Sequence, residues 1–235
     1  MSPIRRLLQI VVATLPLAAA AVAQTGFPFQ NESLHYNINW PSGLGIGEAD
    51  FTAQKTGAGW DFAMNLSGGI PGFAVTDRFH SSANADLCST EFDRDLSQGS
   101  RKSREKTTFD GGTGRAHRVT LFPAGGGESD FDVASCARDV LTFVYFTRSE
   151  LGHGRVPPPQ QIYYGGPRSI RMEYAGVQTI ALGDKPTVAD QLPVHLKGPN
   201  WGVDFDMFFA RDAARTPLSI KVPLKAGAFT LELVR

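Results

Sequence analysis

The sequence predicts a mainly β protein, a strongly curved antiparallel sheet or half-open β-barrel packed against one α-helix. Three observations lead to this fold class. Apolar and polar residues alternate along much of the chain, glycine-rich turns recur about every ten residues, and one central stretch has helical spacing. With 42% apolar and 20% charged residues, the chain also has the composition of a folded globular protein.

The first strands follow from a two-residue alternation. Leu34, Tyr36, Ile38 and Trp40 alternate with polar residues, which is typical of a strand with one buried face. Further strand-length runs follow between glycine-rich turns, at residues 46–53, 60–66 and 73–76. This order predicts an antiparallel meander.

The next stretch is more polar, and it contains a charged run at residues 101–106. We interpret this run as a solvated strand face or edge. It has no interleaved aromatic residues on which bases could stack, and Glu105 dilutes its positive charge. The sequence therefore does not predict a nucleic-acid-binding surface.

One helix is predicted over about residues 137–150. Ser135 is its predicted N-cap, Asp139 complements the helix dipole in the first turn, and Gly152 and Gly154 end it. We expect its aromatic residues to pack in the core. The apolar side chains at helical spacing are Val140, Leu141, Phe143, Val144, Tyr145 and Leu151.

Seven further strands are predicted after the three prolines at 157–159, which we interpret as a loop within one domain. The chain ends on an alternating apolar run, so its C-terminus is expected to lie in the sheet. The predicted strands cover residues 160–164, 168–174, 177–182, 192–197, 205–210, 218–222 and 229–234.

The first 23 residues have the pattern of a cleaved secretory signal peptide. Two arginines precede an apolar run, and the small residues Ala21 and Ala23 stand before the expected cleavage point. A single domain over 24–235 would remain, with a net charge of −2 because residues 1–23 carry two arginines and no acid. We predict a periplasmic protein without a transmembrane segment after cleavage; secretion is the alternative. The near-neutral charge argues against an electrostatically driven partner.

Export changes the interpretation of the two cysteines, Cys88 and Cys136. In an oxidising compartment, an even pair of this kind predicts a disulfide bond. Two buried free thiols or a metal-binding pair are the alternatives. A metal pair is disfavoured because the two cysteines are far apart and neither belongs to a CxxC or CxxH motif.

The search for catalytic chemistry gives no site. The five histidines are isolated, and no zinc-protease or serine-hydrolase motif is present. Two acid pairs, Asp93 with Asp95 and Asp204 with Asp206, would share a strand face and could serve glycoside chemistry. We interpret them as solvated outer faces. No catalytic, cofactor-binding or metal-ligating residue is predicted, and no cofactor.

Five segments together resemble the DUF3108 domain, a family of exported bacterial proteins of unknown function. Residues 32–40 and 45–49 resemble the opening Gly-Glu-x-Leu-x-Tyr strand and the Gly-x-Ala strand that follows it. Residues 109–110 match after a basic strand, and 139–148 resemble an Asp-x-Leu-Ser-x-x-Tyr-x-x-Arg helix. Residues 209–217 resemble a late Ser-x-Asp-x-x-Arg-x-Pro strand and turn.

The resemblance implies a β-rich, curved sheet with a helix against it, and no established activity. It singles out Asp139, Tyr145 and Arg148, in a structural or a functional role. The sequence departs from the family pattern at Asn31, where glycine is usual, and at Thr142, where serine is usual.

Three classes of function remain open. The first is a non-catalytic binding or envelope-associated protein that holds a lipid or glycan ligand in its curved sheet. The second is a structural or protein-interaction module, and the third is an unrecognised hydrolase of envelope polymers. The first leads because small barrels and half-barrels often hold ligands in their mouths. The oligomeric state is not predicted.

Overall fold

The computed structural model describes residues 31–224 and 227–235. The predicted signal peptide at 1–23 lies outside these described residues. The elements are β1 (Asn31–Asn39), β2 (Gly45–Lys55), β3 (Gly59–Ile70), β4 (Phe73–Asn84), β5 (Ser89–Gln98), β6 (Arg101–Asp110), β7 (Arg115–Phe122), β8 (Glu128–Asp132), α1 (Val140–Gly152), β9 (Gln160–Tyr163), β10 (Pro167–Met172), β11 (Gly176–Leu182), β12 (Lys185–Lys197), β13 (Gly202–Ala210), β14 (Pro217–Leu224) and β15 (Gly227–Leu233).

All of these strands belong to one antiparallel sheet, as the sequence predicted. Strands β1 to β8 form a continuous meander, and the last strand of the chain, β15, pairs with β1. From β15 the sheet continues through β14, β13, β12, β10 and β9. Strand β12 is long enough to pair with β10 near its end and with β11 nearer its start.

The sheet curves around α1, which packs against both of its halves. Leu141 and Tyr145 lie in a core formed with β1 to β7, whereas Phe143 and Leu151 lie in a core formed with β9, β10, β12 and β13. Every helix residue before Gly152 is buried or half-buried. A helix enclosed on most sides needs apolar residues all around, which explains the broad apolar spacing in its sequence.

The helix starts later than predicted, and a different residue caps it. Asp139, not Ser135, is the N-cap, and its Oδ1 accepts hydrogen bonds from the backbone amides of Leu141 (2.8 Å) and Thr142 (3.1 Å). The prediction of Ser135 was wrong because the chain before Asp139 is held in an extended form. There, Ala137 accepts a backbone hydrogen bond from Ser89. None of the helices in the described ranges is long and apolar enough to span a membrane.

A disulfide bond joins Cys88, in the turn after β4, to Cys136, just before α1. The two sulfur atoms lie 1.97 Å apart and the two Cα atoms 4.7 Å apart. The bond holds the segment before the helix against the β4–β5 turn. Disulfides persist in oxidising compartments, so this bond supports an extracytoplasmic location.

We expect the Cys88→Ser/Cys136→Ser variant to lose about 2–4 kcal/mol of unfolding free energy, because the bond closes a long loop in the unfolded chain. Urea denaturation followed by circular dichroism measures the loss. Adding a reducing agent to the wild-type protein should reproduce it and should leave the double variant unchanged. A reductant effect of equal size in both proteins would contradict the prediction.

Candidate functional site

Arg148, one of the three residues singled out by the helix motif, is buried beneath the sheet and forms an ion pair with Glu32 of β1. Its Nη1 and Nη2 donate to the two carboxylate oxygens of Glu32 at 2.5 and 2.8 Å. Its Nε donates to the backbone oxygen of Ala214, in the loop after β13, at 3.1 Å. The side chain of Arg148 is 1% exposed and that of Glu32 is 10% exposed. The pair therefore connects the helix to β1 and to the β13–β14 loop.

Aromatic rings pack around this ion pair. Tyr145 stacks on Phe62 of β3 with ring centroids 4.1 Å apart, and the Arg148 guanidinium lies 5.2 Å from the centroid of the Tyr145 ring. The Tyr36 hydroxyl donates to the backbone oxygen of Pro217 at 2.7 Å. Burial raises the pKa of both tyrosines well above the ordinary value, so their phenols stay protonated.

Asp139, at the start of the helix, is fully buried in a cluster of hydroxyl groups. Its Oδ2 accepts hydrogen bonds from Ser81 (2.5 Å), Ser89 (2.6 Å) and Thr142 (3.0 Å). Burial raises the pKa of the Asp139 carboxyl above its ordinary value, although these donors act in the opposite direction. These hydrogen bonds hold the start of α1 against β4 and β5.

The helix fills one end of the concave face of the sheet and leaves a groove at the other end. Along the inward side of β3, the covered part of the face gives way to the groove. Phe62 packs on the helix, whereas Leu66, further along the strand, lines the groove. The groove has a volume of about 400 Å³. Its lining consists entirely of apolar side chains and glycines: Ile38, Trp40, Ile46, Leu66, Gly68, Gly69, Ile70, Phe73, Val75, Phe229 and Leu231.

Glycine creates part of this space. Gly68 occupies an inward position of β3, where a side chain would otherwise fill the groove. A Cβ atom on Gly68 would lie 2.6 Å from the backbone oxygen of Ile46 and 2.9 Å from the Cα of Gly47. The close approach of β2 and β3 therefore requires glycine here, and the same requirement keeps the groove open.

The acid pairs considered for catalysis lie on the outer face of the sheet, as interpreted from the sequence. On β13, Asp204 contacts Nδ1 of His195 at 2.8 Å, and Asp206 accepts a hydrogen bond from the Gln191 amide at 3.0 Å. On β5, burial and the neighbouring Glu91 raise the pKa of Asp93. No cluster of three or more potential metal ligands occurs among the described residues.

The structure thus separates the predicted site residues from the groove. Asp139, Tyr145 and Arg148 all lie in the buried layer between helix and sheet. The sequence placed Glu32 in the first strand but predicted no partner for it. The groove was not predicted. The alternation of apolar residues at 34–40 was the available indication, because it marked the strand face that lines the groove.

A single curved sheet that encloses a helix at one end and leaves an apolar groove at the other defines a barrel-like class of β protein. Within this class, the chain belongs to the DUF3108 family, described as proteins of unknown function, which it matches over residues 34–234. None of the curated proteins compared with the chain matches it.

Two solved structures are similar to this chain. A beta-barrel-like protein of the DUF1849 domain of unknown function, from Brucella abortus, has a TM-score of 0.61 and 9% identity, covering 86% of this chain and 95% of its own. A putative exported protein with a YmcC-like fold, from Bacteroides fragilis NCTC 9343, has a TM-score of 0.34 and 8% identity, covering 89% of this chain and 96% of its own. The first likeness establishes the barrel-like fold alone.

Proposed function

We propose that this chain is an exported periplasmic protein without catalytic activity that binds the acyl chain of a lipid in its concave groove. The lining of the groove carries the proposal, since every residue in it is apolar or glycine. A volume of about 400 Å³ lies within the range of roughly 300–1,000 Å³ that small-molecule pockets occupy. Burying an acyl chain there would remove apolar surface from water on both partners.

A glycan fits this groove less well than an acyl chain. Sugars are recognised by polar groups placed to bond their hydroxyls, and the groove offers no polar side chain apart from the indole of Trp40. Two rings at the rim favour an apolar ligand further, because Trp40 and Phe229 form an edge-to-face pair with centroids 4.6 Å apart.

A hydrolase is less well supported than a binding protein. The acid pairs at 93/95 and 204/206 lie on the outer face, away from the groove. The proposed periplasmic location rests on the signal-peptide pattern of residues 1–23 and on the disulfide bond.

A dibrominated fatty-acid methyl ester tests the groove, because it carries an apolar chain, no charge and a quencher of tryptophan fluorescence. We expect saturable quenching of the purified wild-type protein. The Trp40→Phe variant should lose most of the quenching, since Trp40 lines the groove. The Val75→Asp variant should bind about tenfold more weakly or worse, because it places a carboxylate in the apolar lining.

Thr76→Asp is the matched control for Val75→Asp. Thr76 is the next residue of β4 and is exposed on the outer face, so its substitution adds the same charge outside the groove. The control variant should quench like the wild type. Equal weakening by both substitutions, or no saturable quenching of the wild type, would contradict the proposal and favour a protein-interaction module.

We propose a structural role for Asp139, Tyr145 and Arg148. Their side chains hold the helix against the sheet at the end opposite the groove. In this role they fix the position of the helix without touching the ligand.

A further inference from the structure

Three arginines, which we call the arginine cluster (Arg94 of β5, Arg118 of β7 and Arg168 of β10), lie on the concave face of the sheet. Each stands two positions from a buried core residue of its own strand, and residues two apart on a strand share a face. Those core residues are Phe92, Ala116 and Ile170. Arginines that point towards the core of a β protein need a physical reason, because charged side chains usually face water.

The arginine cluster converges on the turn between β9 and β10, where the two ends of the curved sheet approach each other. Arg118 Nη1 donates to the backbone oxygen of Gly165 at 2.5 Å, and the Arg94 guanidinium lies 4.8 Å from the centroid of the Tyr164 ring. A Cβ atom on Gly165 would lie 2.7 Å from Nη2 of Arg94. Arg94 and Arg118 therefore contact the same turn from two strands.

The positive charge of the cluster is only partly compensated. Glu105 accepts a hydrogen bond from Arg94 at 2.6 Å, and among the described residues no other carboxylate lies within 4.0 Å of the three guanidinium groups. Within the described ranges, the one hydrogen bond from Arg168 goes to the backbone oxygen of the preceding Pro167, at 2.8 Å, and its guanidinium lies 5.5 Å from the centroid of the Trp201 ring. The Nε atoms of all three arginines are buried and have no hydrogen-bond partner in the part of the chain that the structure describes.

Two positive charges thus remain in excess, close together and partly desolvated. Burial and the proximity of Arg94 and Arg118 lower the pKa of Arg168. Buried donors without partners and like charges held together both destabilise the folded state unless an anion satisfies them. The planar guanidinium presents a fork of N–H donors that matches the oxygens of a phosphoryl group.

We propose that the arginine cluster binds a phosphoryl group. Two uncompensated positive charges suit a dianionic phosphate, and the turn at residues 164–166 would close one side of the site. This proposal does not depend on the apolar groove, because none of the three arginines lines that groove. The phosphoryl group could belong to a soluble phosphate compound or to a lipid headgroup, which share this chemistry.

Inorganic phosphate is the first probe, with sodium chloride at equal ionic strength as the reference. We expect saturable binding in calorimetry and a higher Tm in phosphate than in chloride. The Arg168→Gln variant should bind phosphate about tenfold more weakly or worse. Arg168 is the preferred position because, among the described residues, its hydrogen bond goes to an adjacent residue of the same strand, so its replacement should leave the fold intact.

Arg104→Gln is the matched control. Arg104 lies on β6 beside Glu105, is exposed and pairs with Asp95 on the outer face, so this variant removes the same charge outside the cluster. It should bind phosphate like the wild type. If Arg168→Gln does not fold, Arg118→Gln replaces it. Equal losses in the cluster and control variants, or no difference between phosphate and chloride in the wild type, would overturn the proposal.

Sedimentation with vesicles separates the two sources of the phosphoryl group. Phosphatidylcholine vesicles with and without phosphatidic acid are compared. Arg168-dependent binding only to the vesicles that contain phosphatidic acid would support a lipid headgroup. Phosphate binding without vesicle binding would support a soluble ligand. These phosphate and vesicle results would hold even if the acyl-chain test failed. The variants of the two tests lie at different sites, Val75→Asp in the groove and Arg168→Gln in the arginine cluster.

Discussion

Replacing Glu32 by alanine is expected to lower the free energy of unfolding by about 3–5 kcal/mol. The substitution leaves the Arg148 guanidinium buried between helix and sheet without the carboxylate that accepts two of its hydrogen bonds. An isolated buried charge costs far more than an ion pair contributes, so the loss comes mainly from desolvation. Urea denaturation at neutral pH measures it.

Two comparisons make this test specific. The Glu32→Leu/Arg148→Met double variant removes both charges, and it should be markedly more stable than Glu32→Ala because no buried charge is left alone. Asp132→Ala breaks the exposed pair between Asp132 and Arg115 and should cost less than about 1 kcal/mol. If the double variant were no more stable than Glu32→Ala, the loss of unfolding free energy in Glu32→Ala could not be attributed to the buried charge of Arg148.

Replacing Asp139 by alanine is expected to cost about 3–5 kcal/mol as well. The variant loses the N-cap of α1, worth about 1 kcal/mol, and leaves several buried hydroxyl and amide donors without an acceptor, at about 1–3 kcal/mol each before the structure relaxes. The donors with the shortest contacts are the hydroxyls of Ser81 and Ser89. Thermal denaturation should show a Tm lower by about 10 °C.

Ser135→Ala is the matched control for Asp139→Ala. Ser135 is exposed before the helix and does not cap it, so its substitution should change stability by less than about 0.5 kcal/mol. Asp139→Asn should fall between the control and the alanine variant, because the amide keeps one acceptor oxygen. Similar stabilities for the alanine variants at 135 and 139 would refute the role of the Asp139 cluster.

The fold was largely predictable because alternation and turn chemistry act locally. The predicted strands and the sheet class are confirmed, and the helix was placed within a few residues of Val140–Gly152. Strands β5, β7 and β8 were not predicted, because their polar residues hide the alternation; β8, for example, has five residues, of which four are polar. The N-cap was misplaced because Ser135 and Asp139 are both good caps, and only the packing of Ser81 and Ser89 around Asp139 decides between them.

The site was less predictable because it depends on contacts between distant segments. Glu32 and Arg148 are 116 positions apart, and no local pattern links them. An arginine near a helix C-terminus can equally complement the helix dipole, so its position in the sequence does not assign Arg148 a partner. Likewise, Arg94, Arg118 and Arg168 are isolated in the sequence, and only the curvature of the sheet gathers them at one turn.

The position of β15 has a consequence for how the sheet is completed. This strand lies between β1 and β14, in the interior of the sheet, and it joins the meander β1 to β8 to the strands that follow the helix. Until β15 has paired with both neighbours, the two halves of the sheet have no strand between them. Completion of the fold therefore depends on pairing between strands that are far apart in the sequence.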